Sequence, residues 1–213
     1  MSLPLSHDFH ATAFLGITID GHIARADGSI NYLPPAPTGT SEEHAGSSTN
    51  SSIVPTITDM LATMDILVLG RATYETVLKL RNEEHEWPYR DLPVLALSRQ
   101  TPVSLPVKLD VDDTAISFVE SIEATVQHVV DKGYKKVWID GGQTVRSFLE
   151  AGLLDELVLT TVPVVLGKGI SLFAGLQREM RCEVMGVRRM ERLVGVRYKV
   201  VYGEIDERGR LVT

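Results

Sequence analysis

Cysteine is almost absent from this chain of 213 residues, in which Cys182 is the single example. One cysteine cannot form an intramolecular disulfide or a multi-cysteine metal site. The six histidines include no pair four residues apart, the spacing that brings two imidazoles onto one helix face. The composition therefore argues against a fold that depends on disulfides or structural zinc, and we expect no bound metal.

Positive charge and long apolar runs are also scarce. Lys and Arg number 21 against 28 Asp and Glu, which gives a formal net charge of −7. An acidic chain without a basic block is poorly suited to duplex nucleic acid or an anionic membrane surface, so we expect neither partner. The longest apolar run, 157–166, is about half the length of a membrane span. Residues 1–8 show no signal-peptide pattern, and we expect a cytoplasmic protein.

Size and composition are those of a globular domain. Apolar residues make up 44% and charged residues 23% of the chain, and domains average about 150 residues. We therefore expect residues 1–213 to form a single domain with its core at about 9–203. Residues 34–55 are rich in Pro, Ser, Thr and Gly, a composition that buries little apolar surface. They predict a long loop inside the domain, of the kind that often forms a lid or binding loop.

Between the loop and residue 162, short apolar runs alternate with segments of helical periodicity. Continuous apolar runs of this length are typical of strands that are buried on both faces. Ser117 and Glu120 have the spacing of a capping box and predict a helix that includes Phe118 and ends at Gly133. The other predicted helices lie near 57–64, 74–78 and 145–152, and the predicted strands are 9–18, 65–70, 93–97, 136–139 and 156–162.

The last part of the chain changes character. Residues 194–202 alternate between an apolar and a mixed face, which is typical of an antiparallel strand. Residues 182–190 are its predicted partner, and 191–193 the turn. Alternating strands and helices followed by a β-rich end predict an α/β fold with a mixed, mostly parallel sheet and helices on its faces.

Two predicted strands run through glycine directly into a helix. A helix N-terminus carries unpaired N–H groups and partial positive charge, and glycine allows a phosphate to approach the backbone. In open α/β sheets, ligands bind beyond the carboxyl ends of the strands. Two such ends side by side would hold the separate phosphates of one dinucleotide, and Arg71 would suit a 2′-phosphate, which favours NADP over NAD. The two turns comprise Gly70, Arg71, Ala72 and Thr73, and Asp140, Gly141, Gly142, Gln143 and Thr144.

Each feature also has an ordinary interpretation when it is taken alone. A glycine between strand and helix is common turn chemistry, and an exposed arginine such as Arg71 is a common surface ion-pair partner. The sequence contains no G-x-G-x-x-G, no G-x-x-x-x-G-K-[ST] and no G-x-S-x-G. A Rossmann dinucleotide fingerprint, a P-loop and a hydrolase nucleophile elbow are therefore excluded.

Several stretches, taken in order, resemble a known group of enzymes. The most specific are Asp140-Gly141-Gly142 and the segments 148–157 and 163–173; the others are 18–24, 28–33, 69–75, 87–89 and 94–99. Together they resemble the dihydrofolate reductase-like superfamily over roughly residues 9–203. The resemblance is stronger to the C-terminal reductase domain of the bifunctional riboflavin-biosynthesis deaminase/reductase, in its stand-alone bacterial form.

The resemblance implies a three-layer α/β/α fold, NADPH as cofactor and a homodimer. It implies that the loop from Gly70 to Thr73 holds the adenosine-side phosphates and that the turn from Gly141 to Thr144 holds the pyrophosphate. Ser98 and Arg99 would contact the 2′-phosphate or the adenine. Asp20 and Gly21 belong to a loop that would close over the nicotinamide, and Gly167 begins a loop near the same cleft.

The implied chemistry is hydride transfer to a C=O or C=N carbon, with 5-amino-6-(5-phosphoribosylamino)uracil as the expected small-molecule substrate. A pteridine or dihydrofolate reductase is an alternative, although the first helix offers only Asp59 as a carboxylate. A paralogue that binds NADP without catalysis is another. Asp140 is the candidate catalytic acid. It either bonds the neighbouring backbone N–H groups or faces the substrate, and the sequence leaves both options open.

Overall fold

The computed structural model describes residues 7–34, 54–84, 87–89, 91–99, 116–205 and 211–212. Most of the predicted loop 34–55 lies outside these residues. Strands and helices alternate through the described part of the chain, and the α/β prediction is confirmed. The strands are β1 (His10–Thr18), β2 (His22–Ala24), β3 (Ile66–Gly70), β4 (Val94–Leu97), β5 (Ile116–Val119), β6 (Lys136–Asp140), β7 (Glu156–Val162), β8 (Ile170–Ser171), β9 (Arg181–Arg189), β10 (Val194–Val201), β11 (Glu204–Ile205) and β12 (Leu211–Val212). The helices are α1 (Ile57–Thr63), α2 (Arg71–Glu84), α3 (Ile122–Asp131) and α4 (Gly142–Ala151).

Eight of these strands form one sheet in the order β5-β4-β3-β6-β1-β7-β10-β9. The first six are parallel to their neighbours, and β10 and β9 are antiparallel. All six parallel strands therefore end at the same edge of the sheet. The predicted mixed, mostly parallel sheet is confirmed.

Apolar residues on the two sheet faces pack against different helices. On one face, Ala11, Ala13 and Ile139 belong to a core that includes Val129 of α3 and Phe148 of α4. On the other face, the buried residues of β3, β4 and β6 share a second core with α1 and α2. The chain therefore forms the three layers that the resemblance implied. Members of the second core include Met60, Leu67, Leu69, Tyr74, Val77, Ala96 and Trp138.

The prediction that a helix begins at Ser117 is wrong. Ser117 and Phe118 lie in β5, which pairs in parallel with β4 as far as Val119. The helix starts after Ser121, whose side chain accepts a hydrogen bond from the N–H of Ala124. Pairing with a neighbouring strand outweighs a local capping pattern because it satisfies the backbone groups of the whole segment. The predicted end is confirmed, since α3 stops directly before Lys132 and Gly133.

The predicted C-terminal hairpin is present, and β9 forms one edge of the sheet. Its side chains are mostly exposed, and Val184 and Val187 keep 63% and 50% of their accessible surface. An edge strand with exposed valines offers unpaired backbone groups and apolar surface together.

No helix in the described part of the chain is long and apolar enough to cross a membrane.

Candidate functional site

The two glycine turns lie side by side at the carboxyl edge of the sheet. Strands β3 and β6 are parallel neighbours, and Leu69 pairs with Asp140. The backbone therefore leaves both strands at the same height, at Gly70 on β3 and at Gly141 after β6. The helices α2 and α4 begin directly after these turns. The two turns therefore have the side-by-side arrangement that binding of one dinucleotide would require.

The two glycine turns pack on each other's helices. Gly141 lies against the start of α2, and Gly70 lies against the start of α4. A Cβ atom at Gly141 would lie 2.2 Å from the hydroxyl oxygen of Thr73, and one at Gly70 would lie 2.9 Å from that of Thr144. Gly141 also has a φ of +88°, a backbone conformation that is strained in residues with a side chain. Both positions therefore exclude any residue with a side chain unless the neighbouring threonine moves.

The N-terminus of α4 differs from those of α1 and α3. Thr56 and Ser121 cap α1 and α3 through their side chains. α4 has Gly141 at its cap position, so no capping side chain accepts a hydrogen bond from its first N–H groups. Gln143 on its first turn is exposed, whereas Gly142 and Thr144 are buried. The first N–H groups of α4 consequently lack the side-chain acceptor that a serine, threonine or aspartate would supply.

Two cationic side chains lie at the same edge. Arg71 begins α2 and donates a hydrogen bond from Nε to Glu75 at 2.6 Å. This is the ion pair that the ordinary interpretation predicts, and both side chains keep 45% of their surface exposed. Ser98 and Arg99 follow β4, which adjoins β3. Ser98 is buried and donates its N–H to the carbonyl of Val119, while Arg99 is exposed.

Asp140, at the end of β6, is partly buried and uses both carboxylate oxygens. Oδ1 accepts the N–H of Gly141 at 2.7 Å, and Oδ2 accepts the phenol of Tyr89 at 3.0 Å. Burial raises the pKa of the Asp140 carboxyl above its ordinary value, although both hydrogen bonds act in the opposite direction. The bond to a neighbouring backbone N–H, one of the two options left open, is therefore present, and it also takes the Gly141 N–H away from any phosphate.

Tyr89 is the residue of this region to which sequence reasoning gave no role. It lies 51 positions from Asp140 along the chain, and only 6% of its surface is exposed. Burial, followed by the nearby Asp140 carboxyl, raises the pKa of its phenol well above the ordinary value. The segment 87–89 was among the stretches that carried the resemblance, but no spacing rule connects it to position 140.

The structure brings Asp20, Gly21 and Gly167 together, as predicted. Asp20 accepts hydrogen bonds from the hydroxyl of Thr18 at 2.7 Å and from the N–H of Gly167 at 2.7 Å. These bonds hold the pKa of the Asp20 carboxyl well below its ordinary value. Gly21, at a φ of +80°, accepts the N–H of Leu172. The loop after β1 is thus tied to the chain after β7, beside the glycine turns.

Asp59, the carboxylate on α1 that a folate reductase would need, is engaged elsewhere. Its Oδ2 accepts both the N–H and the hydroxyl of Thr56, which completes a capping box. The carboxylate therefore stabilises the start of α1. Within the described ranges, no group of three or more His, Cys, Asp and Glu side chains is arranged to hold a metal ion.

A family model described as the RibD C-terminal domain matches residues 10–194, from the start of β1 to the start of β10. The chain belongs to this family. The match includes both glycine turns, Asp140 and Tyr89. The residues of the candidate site therefore lie within the RibD C-terminal domain.

Individual proteins are similar to this chain over most of its length. "Uncharacterized protein YwjB" of Bacillus subtilis (strain 168) is 29% identical over 187 residues, which cover 87% of this chain and 94% of that protein. A provisionally named riboflavin biosynthesis protein of Shewanella sp. PV-4 has a crystal structure that matches with a TM-score of 0.72 at 26% identity, covering 91% of this chain and 100% of that one.

The fold also matches a larger enzyme. It is the diaminohydroxyphosphoribosylaminopyrimidine deaminase/5-amino-6-(5-phosphoribosylamino)uracil reductase of Thermotoga maritima, with a TM-score of 0.63 at 14% identity. That match covers 91% of this chain and 57% of the Thermotoga chain. At this identity the likeness concerns the fold.

Proposed function

We propose that this RibD C-terminal domain protein is an NADPH-dependent reductase that transfers hydride to a C=O or C=N carbon. The observation that carries the proposal is the pair of glycine turns, Gly70 and Gly141, side by side at the carboxyl edge of β3 and β6. The proposed substrate is 5-amino-6-(5-phosphoribosylamino)uracil or a close relative, since the matching Thermotoga maritima enzyme is named as a reductase of that compound.

The residues at the site fit this cofactor. Gly70 and Gly141 have no side chain, and the space that a Cβ would take is filled by Thr144 and Thr73, so the glycines let the two turns pack closely together. α4 begins without a capping side chain, and a helix N-terminus attracts phosphate. Because Asp140 takes the Gly141 N–H, we assign the pyrophosphate to the later amides of the first turn, those of Gly142, Gln143 and Thr144.

Arg71 and Arg99 supply the positive charge for a 2′-phosphate, with Ser98 beside them and Ala72 and Thr73 on the first turn of α2. Arg71 already pairs with Glu75, so a phosphate would compete with, or join, an exposed ion pair. Exposed pairs are worth roughly 0–1 kcal/mol, whereas a hydrogen bond to a doubly charged phosphate is worth about 1.5–3 kcal/mol. The competition therefore favours the phosphate.

NADPH, when bound, supplies the hydride, and the protein supplies alignment and a proton. We assign the proton to Asp140. Its carboxyl lies at the end of the central strand β6, next to the turn proposed for the pyrophosphate. Its pKa is raised by burial, and a raised pKa keeps a larger fraction of a carboxyl protonated near neutrality. Asp20, Gly21 and Gly167 form the loop pair that we propose closes over the reacting groups.

The test combines binding and turnover on the purified protein. Fluorescence titration should give tighter binding of NADPH than of NADH, and NADPH oxidation should depend on added 5-amino-6-(5-phosphoribosylamino)uracil. Turnover of a dihydropteridine in its place would support the pteridine reductase instead. Binding of NADPH without oxidation in the presence of either compound would support a non-catalytic paralogue and contradict the proposal.

We also propose that residues 1–213 form one domain and that the protein works as a cytoplasmic homodimer. The exposed valines on the edge strand β9 support self-association, because a symmetric dimer would cover that edge.

A further inference from the structure

The carboxylate of Asp140 is held by two hydrogen bonds, one to each of its oxygens. The phenol donates to Oδ2 of Asp140 at 3.0 Å, and the N–H of Gly141 donates to Oδ1 at 2.7 Å. Both oxygens are thereby fixed, so rotation of the carboxyl about the Cβ–Cγ bond would break both hydrogen bonds. The carboxyl plane is consequently set from two sides, by a turn of the chain and by a side chain from a distant segment.

Tyr89 is itself held by aromatic neighbours. Its ring meets that of Trp138 edge to face, with centroids 5.4 Å apart and planes at 86°. It also meets the ring of Trp87, with centroids 5.6 Å apart and planes at 75°. Trp138 in turn packs edge to face on Phe14 of β1 at 5.9 Å. Such pairs favour one mutual orientation, so a row of four rings from β1 across β6 fixes where the phenol oxygen lies.

Trp138 and Asp140 are two residues apart on β6, and alternate residues of a strand point to the same face. The aromatic row and the carboxyl therefore share one side of the sheet. Only 2% of Trp138 and 6% of Tyr89 is exposed. The row shields the carboxyl from water on that side, and the same burial raises the pKa of Asp140.

We propose that Tyr89 is a positioning residue, whose phenol holds the Asp140 carboxyl in the orientation from which it would serve a bound substrate. This inference rests on the reductase proposed above, in which Asp140 is the acid. Tyr89 acts through Asp140 and not on the substrate, because its hydroxyl is already committed to the carboxylate.

The contact also sets when Asp140 carries a proton. A hydrogen bond donated to a carboxylate favours the charged form, and burial favours the neutral form. Tyr89 and the Gly141 N–H are the groups that oppose burial, and no charged side chain of the described residues contributes to the shift. Removal of the phenol takes away one of the two hydrogen bonds that lower the pKa of Asp140. The effect of burial then dominates more strongly, and the pKa should rise.

The experiment is the Tyr89→Phe variant, which keeps the ring and removes the hydroxyl. Carbon-13 NMR titration of the apo protein, with labelled aspartate carboxyls assigned through Asp140→Asn, should show the pKa of Asp140 raised by about one unit. The alkaline limb of the kcat profile, on which activity falls as Asp140 loses its proton, should shift to higher pH by the same amount. At a pH where Asp140 is protonated in both proteins, kcat should fall roughly tenfold, while NADPH affinity stays within about threefold.

The control is Tyr202→Phe, which removes a partly buried phenol that donates to the carbonyl of Leu154 at 2.8 Å. It should lower stability without moving the Asp140 titration. In an Asp140→Asn background, Tyr89→Phe should have no further effect on kcat, because the two residues act as one unit. An unchanged Asp140 titration in Tyr89→Phe would overturn the inference whatever the activity. A wild-type protein without turnover would overturn the proposed reductase instead, and the NMR titration would still decide whether Tyr89 sets Asp140.

Discussion

The side chain of Thr73 on α2 lies against Gly141, where the chain turns from β6 into α4. A Cβ atom at position 141 would come within 2.2 Å of the Thr73 hydroxyl oxygen and 3.2 Å of its Cβ. The two turns of the candidate site are therefore packed on each other in the protein as it stands. The site is preformed by the fold, and a ligand would not have to create it.

Gly141→Ala should destabilise the protein and abolish NADPH binding. The left-handed φ costs a side chain about 1–2 kcal/mol, and the overlap with Thr73 adds about 1–3 kcal/mol. Gly133→Ala is the matched control, because Gly133 has a φ of +72° and a Cβ added there would meet nothing within 4 Å. Thermal unfolding should show the larger loss at position 141, partly restored by Thr73→Ala. Equal losses at the two glycines would show that the contact with Thr73 is unimportant.

Arg71→Ala should weaken NADPH binding roughly 10- to 150-fold and leave NADH binding nearly unchanged, because only NADPH carries the 2′-phosphate. Glu75→Gln breaks the same ion pair but keeps the guanidinium, so its NADPH affinity should equal or exceed that of the wild type. Fluorescence titration of both cofactors measures both effects. Equal losses for NADPH and NADH would remove Arg71 from the phosphate site.

Asp140→Asn should lower kcat by ~10²-fold or more, the usual contribution of a general acid. NADPH affinity should stay within about threefold, since the assigned pyrophosphate amides are not changed. The amide oxygen of asparagine can still accept the Gly141 N–H, so the turn should keep its shape. Steady-state kinetics and thermal unfolding on the same preparation separate the two roles. Unchanged turnover with a lower melting temperature would make Asp140 a purely structural residue.

His10 should make stability depend on pH near neutrality. Its hydrogen bond to Glu156 raises the pKa of His10 and the Asp155 carboxylate adds to the effect, whereas burial and the nearby Arg197 oppose it. A raised pKa in the folded state stabilises the protein fully below the ordinary value of about 6.5, and this stabilisation is lost as the pH rises through the folded-state value. Urea unfolding from pH 6 to 8 should therefore show a decline that His10→Gln removes. His128→Gln, which leaves this cluster intact, should keep the decline.

Val187→Glu should disrupt the proposed dimer, because it places a charge on the exposed edge strand β9. Val130→Glu on α3 is the matched control, since the two valines are 50% and 49% exposed. Light scattering at micromolar concentration should give a dimer mass for the wild type and for Val130→Glu, and a smaller mass for Val187→Glu. A monomer mass for the wild type would contradict the prediction directly.

Much of the fold could be predicted because its signals are local. The runs at 65–70, 93–97 and 136–139 are short and mostly apolar, which indicates buried strands. The glycines at 133 and 152 mark helix ends because few other residues adopt a left-handed φ. Ser117 shows the limit of such reasoning. Its spacing to Glu120 suits a helix cap, but β4 is available as a neighbour and draws residues 116–119 into the sheet.

The candidate site also has a part that local sequence predicts and a part that it does not. The sequence by itself determined which residues leave the strands through glycine, Gly70 and Gly141, because backbone freedom and helix polarity are properties of a short segment. Only the tertiary structure decided that β3 lies beside β6, that Thr73 fills the space above Gly141, and that Tyr89 bonds Asp140 from 51 residues away. These are contacts between distant segments, and they depend on strand order and on how side chains share space in the folded core, which no local pattern encodes.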